Sequence, residues 1–84
     1  MLPFDFITIV ALVCAQHKGS MSSWGRTPKR NKDIGGHPNS LHMVWLGCDI
    51  VLDVMMKNTE LEADCDKFGL TAIYEKDHYH LQPA

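Results

Sequence analysis

The apolar residues of this chain are gathered into short segments, and 84 residues can bury them in only one modest core. We therefore predict a single domain over residues 1–84. The densest apolar segment, residues 6–15, is too short to span a bilayer. Asp5 precedes it and no basic region does, so it makes a poor signal peptide and is predicted to be core.

Helix and strand signals alternate along the rest of the chain. This order predicts an α+β domain with a small, mostly antiparallel sheet and flanking helices. The predicted elements are a helix at 4–17, a short strand at 20–24, a loop at 27–40, a buried strand at 41–54 interrupted at Gly47, a helix from 58 or 59 to 68, and a final strand at 70–82.

Charge and cysteine content exclude several classes of function. A net charge of -2 and an isoelectric point near 6.2 leave no electrostatic footprint for nucleic acid or for an anionic membrane. Three cysteines without a CxxC pair indicate neither a disulfide framework nor a cysteine zinc site. Cys48 is more simply a small buried hydrophobe than a ligand. We expect a cytoplasmic location in the producing cell, so that a target outside the cell would be reached after lysis or by another route.

Two histidines and an aspartate form the candidate metal site. Zinc binds imidazole nitrogen and carboxylate oxygen, and a catalytic zinc has three protein ligands and one open position. His42 and Asp49 are seven positions apart, so they can share a metal only if the chain turns between them, which Gly47 allows. Spacing alone favours the simpler alternative, a surface or core-edge histidine and a turn aspartate. The third candidate ligand is His80.

The segment from Asp77 to His80 adds possible catalytic groups. Alternation along a strand places His78 and His80 on one face, where either can reach a metal, although an adventitious histidine pair is the simpler alternative. Asp77 is close enough in sequence to act on a metal-bound water, but in an ideal strand it faces away. The basic run at 26–32 is typical of a solvated loop face, although one arginine in it can stabilise an oxyanion.

Three short motifs resemble one family. Ser40, His42 and Asp49 are similar to the SxH(x6)D motif of the zinc D-Ala-D-Ala carboxypeptidases, whose superfamily includes phage L-alanyl-D-glutamate endolysins and the Hedgehog amino-terminal domain. Residues 77–80 resemble the second motif of that family. Residues 23–40 resemble its upstream SGYRTP...N...GG...S stretch. The motifs occur in the family order and cover residues 20–82.

The resemblance implies a Hedgehog/DD-peptidase-like fold and hydrolysis of D-amino-acid-containing bonds in peptidoglycan. Trp45 departs from the family pattern, which often has glycine there, and Gly47 stands where alanine is common. The implied roles are zinc ligation by His42, Asp49 and His80, general base and acid for Asp77, carbonyl polarisation for Arg26, secondary stabilisation for His78 and substrate placement for Ser40.

Two alternatives belong to other classes. A non-catalytic zinc-binding interaction module of the same fold would keep the ligands without hydrolysis. A non-haem iron oxygenase also uses two histidines and a carboxylate. That class usually places its first histidine and carboxylate two positions apart, so the spacing here argues against it.

Overall fold

A four-stranded antiparallel sheet organises the chain in a computed structural model that describes residues 1–84. Its strand order is β1-β2-β4-β3. The small α+β fold with flanking helices is therefore confirmed. The strands are β1 (Gly19–Ser23), β2 (Cys48–Leu52), β3 (Leu70–Tyr74) and β4 (Tyr79–Pro83), and the helices are α1 (Pro3–His17), α2 (Pro28–Asp33), α3 (Thr59–Lys67) and a 3₁₀ helix at Leu41–Val44.

The two faces of the sheet carry different residues, one apolar and buried and the other polar. Alternation along β2 buries Cys48, Ile50 and Leu52 on one face and leaves Asp49 on the other. Register pairs Asp49 directly with His80 of β4. Directly paired residues of antiparallel strands share a face, so these two polar side chains lie side by side opposite the core.

The core lies between helices α1 and α3 and the sheet face that carries Cys48, Ile50 and Leu52. Apolar α1 residues at helical spacing pack against the strands. Cys48 is a buried free cysteine, as predicted. None of the helices has the length and apolar character needed to cross a bilayer. The buried core consists of Phe6, Val10, Val13, Cys14, Cys48, Ile50, Leu52, Leu61, Cys65, Leu70, Tyr79 and Leu81.

Both long helices occur where their boundary signals predict them. The Asn58 side chain accepts a hydrogen bond from the Leu61 N–H and caps α3, whose first turn is acidic. Helix α1 ends at His17, as predicted. Lys18 adopts the left-handed conformation at φ 53°, and Gly19 already belongs to β1.

Three local predictions are wrong. Residues 41–46 form a 3₁₀ helix and a turn instead of a strand, because the Ser40 hydroxyl accepts from the His42 N–H and starts a helical turn. The predicted strand 70–82 is a hairpin that turns at residues 75–78, where Lys76 has a φ of 70°. The predicted loop 27–40 contains α2, which Thr27 caps before Pro28 at its first position.

Tyr79 connects the site strand to α3, and its loss should destabilise the protein. Its buried hydroxyl accepts from the Asn58 N–H at 2.8 Å and donates to Glu62 Oε2 at 2.7 Å. Tyr79→Phe leaves the Asn58 N–H without its acceptor and removes one of the hydrogen bonds to Glu62, which keeps those from Lys57. It should reduce the free energy of unfolding by about 1–3 kcal/mol. Urea denaturation measures the change. The matched control is Tyr74→Phe, because the Tyr74 ring neighbours that of Tyr79. This control should leave the free energy of unfolding nearly unchanged. Equal effects in the two variants would contradict the role of Tyr79.

Stability should also depend on pH through Glu62. Hydrogen bonds from Lys57 and Tyr79 hold the pKa of Glu62 below its usual value. A carboxylate whose folded pKa is lowered stabilises the fold above its unfolded pKa, and that contribution is lost as pH falls through the folded pKa. The difference in unfolding free energy between the wild type and Glu62→Gln should therefore shrink as the urea titrations move to acidic pH. A constant difference across that range would contradict it.

Candidate metal centre

The structure brings the three predicted ligands together on the open face of the sheet. One ligand atom from each of His42, Asp49 and His80 lies within 4.8 Å of the others. Asp49 Oδ1 is 3.3 Å from His42 Nε2 and 3.2 Å from His80 Nδ1. These separations allow one ion to contact all three, so the cluster can bind a metal ion.

Local chain geometry explains how residues seven positions apart meet. His42 lies in the 3₁₀ helix, and Asp49 is the second residue of β2. Between them, Gly47 passes close to both histidines: a Cβ atom there would lie 3.0 Å from the His42 amide nitrogen and 3.2 Å from His80 Cε1. The absence of a side chain at Gly47 lets the two elements approach without displacement.

Each histidine has a second partner that orients its ring. His42 Nδ1 donates to the Trp24 carbonyl at 2.6 Å, and His80 Nε2 lies 2.9 Å from Gln82 Oε1. The nitrogens left facing Asp49 are therefore His42 Nε2 and His80 Nδ1. Metal-ligating histidines usually donate their other N–H in this way. The residues present thus fit a bound metal ion.

Neither orienting partner is predicted by the sequence analysis. A backbone carbonyl such as that of Trp24 leaves no side-chain signature. Gln82 does leave a signal, because it lies two positions after His80 and so on the same face of the strand.

Charge around Asp49 keeps its carboxylate ionised. Burial favours a higher pKa for Asp49, but hydrogen bonds from His42 and His80 and the charge of nearby imidazoles outweigh it, so the pKa is lowered. The hydrogen bond to Asp49 is also the main cause of the raised pKa of His80, against the opposing effect of burial. Asp49 is thus available as an anionic ligand at neutral pH.

Arg26 lies beside the cluster in a socket formed by the segment after it. Its Nη2 is 3.6 Å from Asp49 Oδ2, and its Nη1 donates to Asn31 Oδ1 at 3.2 Å. Asn31 is buried and donates in turn to the His37 carbonyl at 2.9 Å. A side chain at Gly36 would collide with Asn31 Oδ1. The Arg26 Nε atom is buried without a hydrogen-bond partner.

Asp77 reaches the cluster only through His78. The Asp77 side chain is 87% exposed, and its Oδ1 accepts from His78 Nδ1 at 2.6 Å. His78 Nε2 lies 3.8 Å from Asp49 Oδ1 and 3.2 Å from Glu75 Oε2. The structure therefore brings His78 to the ligands and leaves Asp77 behind it at the hairpin turn. Glu75 is a neighbour that the sequence analysis missed.

Ser40 and the two tryptophans shape the surface around His42. Ser40 Oγ accepts from the His42 N–H at 3.2 Å, so its hydroxyl supports the ligand. Trp24 and Trp45 meet edge to face at 4.9 Å, and the Trp45 ring leaves no space for a side chain at Gly25. The backbone of Trp45 has a φ of 62°, in the left-handed region. Glycine adopts this conformation more readily than tryptophan because it has no Cβ atom. The Trp45 ring is half exposed beside the cluster.

Comparisons of the chain with models of known families, with curated proteins and with solved structures find no match.

Removal of the central carboxylate should abolish metal binding. Zinc should raise the melting temperature of the wild type because it binds the native state. At a zinc concentration 100 times the dissociation constant, binding adds about 2.7 kcal/mol to the free energy of unfolding. Asp49→Asn should show no zinc-induced shift relative to its own metal-free form. The control is Asp53→Asn, at an exposed aspartate just after β2, which should shift like the wild type. A full zinc shift in Asp49→Asn, by differential scanning fluorimetry, would contradict the assignment.

Proposed function

We propose that this protein is a zinc-dependent peptidase that hydrolyses D-amino-acid-containing peptide bonds of peptidoglycan stem peptides or cross-links. The observation that carries the proposal is the His42-Asp49-His80 cluster with the Arg26 guanidinium beside it. The three family-like motifs, which hold these same residues, supply the reaction class. Two imidazoles and one carboxylate are a common donor set for catalytic zinc.

The chain contributes groups suited to this reaction. A bound zinc ion would supply Lewis acidity and a water of pKa about 7. Arg26 presents guanidinium N–H groups to an oxygen that gains negative charge as a peptide carbonyl is attacked. Its buried socket fixes that position before substrate arrives.

Asp77 and His78 form the proton-accepting pair in this proposal. Asp77 accepts the Nδ1 proton of His78, which leaves Nε2 as the nitrogen closest to Asp49. A carboxylate that holds an imidazole in one tautomer leaves the other nitrogen to accept a proton, and in His78 that nitrogen also lies 3.2 Å from Glu75 Oε2. In this proposal Asp77 acts as the general base and acid through its contact with His78.

A surface cleft next to the Arg26 socket can receive the substrate peptide. Its volume is about 430 Å³, within the range of small-ligand sites. Asn31 and Gly36 belong both to this cleft and to the socket, so the cleft leads toward the guanidinium. Its lining consists of Pro28, Asn31, Lys32, Gly36, Pro38 and Met43.

A second candidate function is a non-catalytic zinc-binding interaction module. The observation in its favour is the exposure of Asp77, which has His78 and no metal ligand as its hydrogen-bond partner. In such a module the metal would stabilise the fold, and the cleft would bind a partner without cleaving it.

Chelator-sensitive cleavage of purified peptidoglycan tests the proposal. The zinc-loaded protein should generate new amino termini or free D-alanine, detected by amine labelling and chromatography, and a chelator should abolish this release. Metal analysis of the same sample should give zinc and not iron. Bound zinc without cleavage of any muropeptide would support the interaction module instead.

Asp77→Asn tests the assignment of the general base. The variant should keep its zinc and lose about 100- to 10,000-fold in cleavage rate, as expected for loss of general acid-base catalysis. Asp66→Asn, at an exposed aspartate of α3, is the matched control and should cleave like the wild type. Full activity in Asp77→Asn would show that the base assignment is wrong.

A further inference from the structure

The two histidines of the cluster are oriented by partners of different chemical kinds. His42 Nδ1 donates to a backbone carbonyl, that of Trp24, at 2.6 Å. His80 Nε2 faces a side-chain amide oxygen, that of Gln82, at 2.9 Å. A backbone carbonyl is present whatever residue occupies position 24, whereas the partner of His80 exists only because position 82 is glutamine.

The tautomer of His80 decides whether it can bind a metal through Nδ1. A neutral imidazole has one N–H and one lone pair, so a lone pair on Nδ1 requires the proton on Nε2. An acceptor opposite Nε2 favours that tautomer. Gln82 presents its Oε1 acceptor at this place, and Nδ1 then faces Asp49 Oδ1 at 3.2 Å.

The sheet fixes the Gln82 backbone, and the His80 ring is largely enclosed. Gln82 lies two residues after His80 on β4 and pairs with Thr71 of β3, so its backbone is fixed within the sheet. The His80 side chain is only 16% exposed, which limits the access of water that could replace the amide. On its other side the ring borders Gly47, where an added Cβ atom would lie 3.2 Å from His80 Cε1.

We propose that Gln82 is a positioning residue of the metal centre: its Oε1 accepts the Nε2 proton of His80 and thereby sets the metal affinity of the cluster through Nδ1. The inference rests on the zinc centre of the proposed function but not on peptidase activity. Of the two contacts that orient the histidines, only the one from Gln82 to His80 can be removed by a substitution.

Three variants test the role through zinc affinity, measured by competition with a chromophoric chelator. Gln82→Leu removes the acceptor at similar size and should weaken zinc binding about 10- to 100-fold, the usual effect of losing such a partner. Gln82→Glu keeps an acceptor and should bind zinc at least as tightly as the wild type. Gln16→Leu, the same change at an exposed position of α1, should leave the affinity unchanged.

A second measurement needs no variant. Long-range ¹H–¹⁵N correlation spectra of the zinc-loaded wild type report which nitrogen of each histidine is protonated. The expected pattern is a protonated Nε2 for His80 and a protonated Nδ1 for His42. Coordination of His80 through Nε2 would overturn the proposal, even if Gln82→Leu failed to fold.

The outcomes separate this inference from the proposed function. Equal zinc affinity in the wild type and a folded Gln82→Leu would overturn the role of Gln82 while the zinc centre stands. Weakened binding in both Gln82→Leu and Gln82→Glu would also overturn it, because an acceptor alone would then be insufficient. Absence of zinc binding by the wild type would overturn both. Weakened binding in Gln82→Leu alone, with the expected tautomers, would support it.

Discussion

The pairing of β2 with β4 is the constraint on which the rest of the site depends. It places Asp49 opposite His80 on one face while Ile50, Tyr79 and Leu81 are buried on the other. A slip of one residue would exchange the faces, moving ligands into the core and core residues into solvent. The same burial that stabilises the fold therefore fixes the register of the ligands. His42 joins them only because Gly47 allows its turn to approach β2 closely.

The carboxylate of Asp49 is the acidic centre of the cluster. Asp49 is held between Arg26 and the imidazoles of His42 and His80, and the pKa of His80 is raised chiefly by its hydrogen bond to Asp49. A metal ion needs the lone pair on the nitrogen that faces the carboxylate, so metal and proton compete for it. Metal binding would then release protons and become weaker in acid.

The sequence predicts the parts of this fold that depend on local signals. Asn58 and the acidic first turn mark α3, the apolar run marks α1, and the residue types of His42, Asp49 and His80 indicate a metal site. The apolar residues before Gly47 look like a strand because they are consecutive and bulky. Their turn depends on a serine cap and a left-handed Trp45, which periodicity does not reveal.

Tertiary contacts determine the rest of the site, and the sequence pattern does not predict them. The socket of Arg26 requires Asn31 to reach the His37 carbonyl, and the orientation of His42 requires a backbone carbonyl from Trp24. The hairpin at 75–78 turns a predicted single strand into two and places His78 between Asp77 and the ligands. Such contacts join residues whose spacing carries no periodic signal. Only the fold shows that they converge on Asp49.

Anomalous diffraction at the zinc absorption edge, from crystals grown with zinc, tests the central claim most directly. The account predicts one strong anomalous peak about 2.0–2.2 Å from His42 Nε2, an Asp49 carboxylate oxygen and His80 Nδ1. A peak at another site with this cluster empty, or a zinc ion bound without His42 or His80, would contradict it.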